Sequence, residues 1–119
     1  MESSRLGIVI KVKNLELCKA FYRDILDLGQ PVLDSSFWVE FKISPESSIY
    51  LEKAEWDEPV PEAGGKIAWL YRTEKLSKIR EKLGSYGYSP SSACTDKVGF
   101  EVYRFADPEG NPFYIAPRL

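Results

Sequence analysis

Histidine is missing altogether from the 119 residues of this chain. Imidazole is the commonest transition-metal ligand and the usual general base near pH 7. Its absence excludes Ser-His-Asp and Cys-His nucleophilic schemes, histidine-based zinc sites and histidine proton shuttles. Cysteine is scarce: Cys18 and Cys94 stand without metal-like spacing, so a reduced, cytoplasmic setting is expected. No apolar run approaches the roughly 18–20 residues that cross a bilayer, and Met1–Leu6 lacks the basic-then-apolar layout of a signal peptide, so no membrane partner is expected. Charge of one sign is also lacking. Against 18 acidic residues stand 16 basic ones, a net charge of −2, which argues against a nucleic-acid partner. What remains, 44% hydrophobic and 29% charged residues, is the composition of a soluble globule, expected as a single domain over 1–119.

The β-branched run Gly7–Lys13 alternates Ile8, Ile10 and Val12 against Val9, Lys11 and Lys13, which predicts a strand with one apolar face. Asn14 is a good N-cap for a helix carrying Leu17, Phe21, Ile25 and Leu28, stopped at Gly29. Strands are predicted over 30–33, 36–43 and 48–53. Residues 54–64, acidic and broken by two prolines, read as a linker whose Glu55, Asp57, Glu58 and Glu62 are solvated. The pattern then restarts: a strand over 66–72, then a helix opened by Thr73 or Glu74 and carrying Leu76, Ile79, Leu83 and Tyr86. Strands near 88–95, 99–106 and 111–117 follow.

The chain therefore reads β-α-β-β-β twice, an α+β architecture of tandem modules over 7–53 and 65–117. Gly7 and Gly29 bracket the first strand-helix unit with a separation of 22 residues, and Gly65 and Gly87 bracket the second with the same separation.

Asn14-Leu15-Glu16, Phe21-Tyr22-Arg23-Asp24 and Leu26-Asp27-Leu28-Gly29 resemble the N-terminal signature of the vicinal oxygen chelate superfamily. Phe105-Ala106-Asp107-Pro108-Glu109-Gly110-Asn111 resembles its turn before the last strand. That superfamily holds glyoxalase I, extradiol dioxygenases and the fosfomycin- and bleomycin-resistance proteins. The resemblance spans nearly the whole chain and implies a curved mixed sheet forming a cup. It also implies metal ligands on the first, fourth, fifth and eighth strands. Carried over by motif position, those ligands fall at Gly7, near Leu51 or Glu52, at Lys66 and at Tyr114. Glycine has no side chain, a charged ammonium cannot ligate, and one carboxylate does not hold a divalent ion. No metal and no other cofactor is therefore expected.

Alternation supplies the candidate ligand-binding residues: Trp38, Glu40, Tyr50 and Glu52 on the middle strands, Lys66 and Arg72 on the fifth, Glu101 and Tyr103, and Tyr114 on the last. On the opposite faces Ile8, Ile10, Val12, Ile67, Trp69, Tyr71, Phe113 and Ile115 should meet the helices. Aromatic walls with a few polar groups describe a small-molecule pocket. Trp56 is either a lid residue or a dimer contact. The expected function is metal-free binding that sequesters an aromatic compound, in the manner of the bleomycin-resistance branch, by a homodimer. The alternatives are a lyase, isomerase or dioxygenase of the same superfamily, and a dimerising module without a ligand.

Overall fold

Ile8, Ile10 and Val12 turn one face of β1 (Leu6–Val12) inward, and the side-chain oxygen of Asn14 accepts the Leu17 N–H (3.0 Å) to start α1 (Leu15–Ala20). The computed structural model describes residues 4–60, 67–91 and 101–118. Its helix α1 runs into a π-helical turn, Phe21–Ile25, in which the Leu26 N–H reaches back to the Phe21 carbonyl (3.1 Å). Asp27, at φ 58°, then leaves the helix in the left-handed region, which a short polar side chain tolerates. The buried stripe is Leu15, Cys18, Phe21, Tyr22, Ile25 and Leu26. Leu17, expected on that stripe, is 50% exposed, because the inward stripe runs through Leu15, Cys18 and Tyr22 and leaves Leu17 to one side.

Behind the helix the strands β2 (Leu33–Asp34), β3 (Trp38–Ser44) and β4 (Ser47–Lys53) complete a sheet of order β1-β4-β3-β2, with β4 parallel to β1 and antiparallel to β3. The strand expected over 30–33 is only the edge pair Leu33–Asp34. Val39, Phe41, Ile49 and Leu51 fill the core under α1, where the Tyr22 and Phe41 rings stand 6.3 Å apart.

The chain divides into two compact units between residues 62 and 63. In the second, β5 (Trp69–Thr73), α2 (Leu76–Ser85), β6 (Tyr103–Ala106) and β7 (Pro112–Pro117) make a sheet of order β5-β7-β6, again with a parallel pair, β5 and β7. The architecture is α+β with two mixed sheets. Three expectations change here. Ile67 does not pack inward: it precedes β5 and is 88% exposed. The second helix opens at Leu76, the Thr73 hydroxyl accepting the Lys75 N–H (3.0 Å), and Tyr86 lies exposed beyond its end. Tyr88–Ser91 form no strand, although the Ser91 N–H donates to the Arg104 carbonyl (2.7 Å); the rest of the strand expected over 88–95 lies outside the described residues.

The turn 107–111 is built on one buried carboxylate. Asp107 Oδ1 accepts the N–H groups of Glu109 and Asn111 (both 2.9 Å) and Oδ2 accepts the Asn111 side-chain amide (3.0 Å), while Gly110 supplies φ 84°. No helix among the described residues is long and apolar enough to cross a membrane.

Candidate functional site

The sheet face turned away from α1 carries every second residue of three neighbouring strands. In register these are Gly7, Val9 and Lys11 of β1 beside Ser48, Tyr50 and Glu52 of β4, and Lys42, Glu40 and Trp38 of β3 beyond them. Four sequence-predicted site residues, Trp38, Glu40, Tyr50 and Glu52, thus meet on one open face, all half-buried. Register makes a chequerboard: Trp38 lies opposite Glu52, and Glu40 opposite Tyr50. The Trp38 and Tyr50 rings stand 5.3 Å apart at 39°, within the range of favourable aromatic pairs. Glu40 is held by the Ser48 hydroxyl, which donates to Oε2 at 2.7 Å.

Lys11 lies at the end of this face, 4.0 Å from Glu52 Oε1, and donates a hydrogen bond to Glu58. That bond raises Lys11 above the usual lysine range, and it holds Glu58 below the usual carboxylate range with help from the Glu55 N–H, which donates to Glu58 Oε1 (3.1 Å). Glu58 is therefore not a solvated linker residue: it ties the turn 55–58 to β1. Sequence reasoning missed this pair because its partners stand 47 residues apart with no local pattern joining them.

In the second unit, register places Leu70 and Arg72 of β5, Tyr114 of β7 and Arg104 of β6 on one face, where Arg72 also donates to the Pro117 carbonyl (3.1 Å). Tyr103 is not among them. It pairs with Ile115, on the face that α2 covers, with the Arg80 guanidinium 4.0 Å above its ring and its hydroxyl donating to Glu101 (2.6 Å). Glu101 and Tyr103 therefore stand apart from Tyr114. The signal was present, since Phe105, two residues on from Tyr103, shares its side of the strand and is buried. Lys66 lies outside the described residues.

The positions the resemblance implies for a metal do not fit one. Gly7 offers no donor, and the Tyr50 ring fills the space above it: a Cβ built there would stand 2.5 Å from Tyr50 Cε2. Glu52 faces Lys11, and Tyr114 stands where the carboxylate would be needed. Among the described residues no three His, Cys, Asp or Glu side chains cluster to hold an ion.

Geometry of this kind defines a class. The chain has the glyoxalase/bleomycin-resistance fold. A glyoxalase/bleomycin resistance protein from Catenulispora acidiphila superposes with a TM-score of 0.72 at 15% identity, covering 98% of this chain and 100% of that one. TnmS3, an antibiotic binding protein from a Streptomyces species, gives a TM-score of 0.73 at 18% identity over 99% of this chain and 98% of its own. A lactoylglutathione lyase from Agrobacterium tumefaciens gives 0.70 at 17% identity, over 98% and 95%. No family model matches the sequence, and neither does any curated protein.

Proposed function

We propose that this chain is a small-molecule-binding protein that works without a metal and sequesters an aromatic compound. The observation that carries this reading is the Trp38–Tyr50 ring pair set between Glu40 and Glu52 on the open face of the first sheet. Proteins described as bleomycin-resistance and antibiotic-binding share the fold, which supports a binding role. With Lys11 engaged by Glu58, the charges directly opposite the two rings are the carboxylates of Glu52 and Glu40, with Lys42 one pair further along, and a planar cation suits the carboxylates. Such a ligand gains about 0.5–2 kcal/mol of cation–π attraction per well-placed ring, together with a charge partner. Arg72 and Tyr114 are the candidate ligand residues of the second unit. The protein is read as a homodimer, since β1 and β5 are sheet edges that carry the exposed apolar residues Leu6, Val9 and Leu70.

Titration with ethidium, a planar aromatic cation, tests the reading calorimetrically. Saturable binding is expected, weakened about tenfold or more in Trp38→Ala and severalfold in Glu40→Gln. Absence of saturable binding by any aromatic cation overturns it, and a stoichiometric divalent metal held by Glu52 overturns it in favour of an enzyme.

A further inference from the structure

Lys11 stands between two carboxylates that reach it from different parts of the chain. By register its neighbour is Glu52, one strand away on the open face. Opposite charges at neighbouring positions of a sheet ordinarily pair. Lys11 instead donates its hydrogen bond to Glu58, from the turn 55–58, and comes no nearer than 4.0 Å to Glu52.

Glu58 has support that Glu52 lacks. Its Oε1 accepts the Glu55 N–H (3.1 Å) and its own N–H donates to the Glu55 carbonyl (3.0 Å), so the turn itself aims Oε2 at Lys11. Among the described residues no hydrogen bond reaches the Glu52 carboxylate, and Lys11 is its one ion-pair neighbour. The other charges of the face are arranged elsewhere. Glu40 accepts the Ser48 hydroxyl, and Lys42, the register partner of Ser48, lies exposed at the end of the face away from Lys11. Lys11 is therefore the cation that decides whether Glu52, opposite Trp38, is neutralised.

We propose that Glu58 is a positioning residue of the open face: by holding the Lys11 ammonium it leaves Glu52 to a ligand cation, and it couples the turn 55–58 to what binds there. The proposal rests on the ligand reading given above. Glu52 and Glu58 are rivals for one ammonium. A ligand cation at Glu52 yields Lys11 wholly to Glu58, whereas loss of Glu58 sends Lys11 to Glu52 and turns the face against cations. The two effects are reciprocal and equal in size. Both side chains of the pair are about a third exposed, so water screens it and the coupling is severalfold.

Calorimetric titration of the parent, Glu58→Gln, Lys11→Met and the double variant with ethidium tests this as a double-mutant cycle. Glu58→Gln is expected to weaken ethidium about twofold to fivefold. Lys11→Met should bind it at least as tightly as the parent, and adding Glu58→Gln to Lys11→Met should change little, because no ammonium remains to be moved. Three results overturn the proposal. One is a Glu58→Gln protein that binds ethidium as the parent does. The second is a Lys11→Met protein as weak as Glu58→Gln, since the tie would then act by shape and not by charge. The third is an equal loss from Glu58→Gln with and without Lys11, which would make Glu58 act on the ligand directly.

A further measurement needs no ligand. Broadening of the Trp38 indole N–H signal by a cationic nitroxide, relative to an anionic one, reports the charge beside that ring. The ratio should fall in Glu58→Gln and stay level when the same change is made in Lys11→Met. If the parent binds no ethidium, the ligand reading fails while this ratio still decides the role of Glu58. A ratio unmoved by Glu58→Gln overturns that role.

Discussion

Gly7 of β1 lies beneath the ring of Tyr50 on the neighbouring strand, so close that a Cβ at position 7 would stand 2.5 Å from Tyr50 Cε2. Glycine is needed here for close approach, not for an unusual backbone angle, and the ring it admits is the one paired with Trp38. Gly7→Ala should push the far end of the Tyr50 side chain aside and break the pair. Near-UV circular dichroism should lose intensity and ethidium affinity should fall severalfold. The melting temperature should shift little, because alanine in a strand recovers about 0.5–1 kcal/mol relative to glycine. An unchanged near-UV spectrum would show that the ring was never constrained by position 7.

Asp107→Ala removes the buried acceptor shared by two backbone N–H groups and one side-chain amide of a half-buried turn. Leaving such donors unsatisfied costs about 1–3 kcal/mol. Urea unfolding should show a lower midpoint with little change in slope, and Asp107→Asn should retain part of the stability. A midpoint within error of the parent would mean that water replaces the carboxylate at no cost.

The Lys11–Glu58 pair has a defined pH window. Glu58 is depressed in the folded state, so its contribution is present above the ordinary carboxylate range and is lost as pH falls through its lowered value. Lys11 is raised, so its contribution is complete below the ordinary lysine range and is lost as pH rises through its elevated value. The Glu55 amide, bonded to Glu58, reports the acid limb by NMR. Its titration midpoint should lie below the ordinary glutamate value of about 4.3 and move back towards it in Lys11→Met. A midpoint unaffected by Lys11→Met would disconnect the turn from β1.

Light scattering across a dilution series should report a dimer, as the exposed apolar edges of β1 and β5 require cover. A monomer at every concentration refutes it.

The sequence made the architecture legible wherever one face of an element is buried. Ile10 and Val12 in β1, and Phe113 and Ile115 in β7, took the sides that alternation assigned, because a one-residue slip would expose every apolar side chain at once. The shared face of Trp38, Glu40, Tyr50 and Glu52 was legible for the same reason, while the register that pairs Trp38 with Glu52 and Glu40 with Tyr50 was not. The residues that escaped did so on physical grounds. Leu17 is apolar but lies off the inward stripe of α1, between the buried Leu15 and Cys18, and spacing alone does not fix the phase of a short helix. Tyr103 is amphipathic, so its hydroxyl suggested a polar face while its ring lies under Arg80. Glu58 is recruited by a lysine distant in sequence, which composition could only present as one acid among several.

The position of β4 between β1 and β3 has a consequence for the chain as it is synthesised. Among the described residues strand β1 pairs only with β4, so β1 waits, unpaired, until Ser47–Lys53 has left the ribosome. A nascent chain halted before that point holds a β2–β3 pair and a helix with an incomplete surface to pack on. The first unit should therefore acquire structure in one late step, not strand by strand. The second repeats the timing, because among the described residues β5 pairs only with β7.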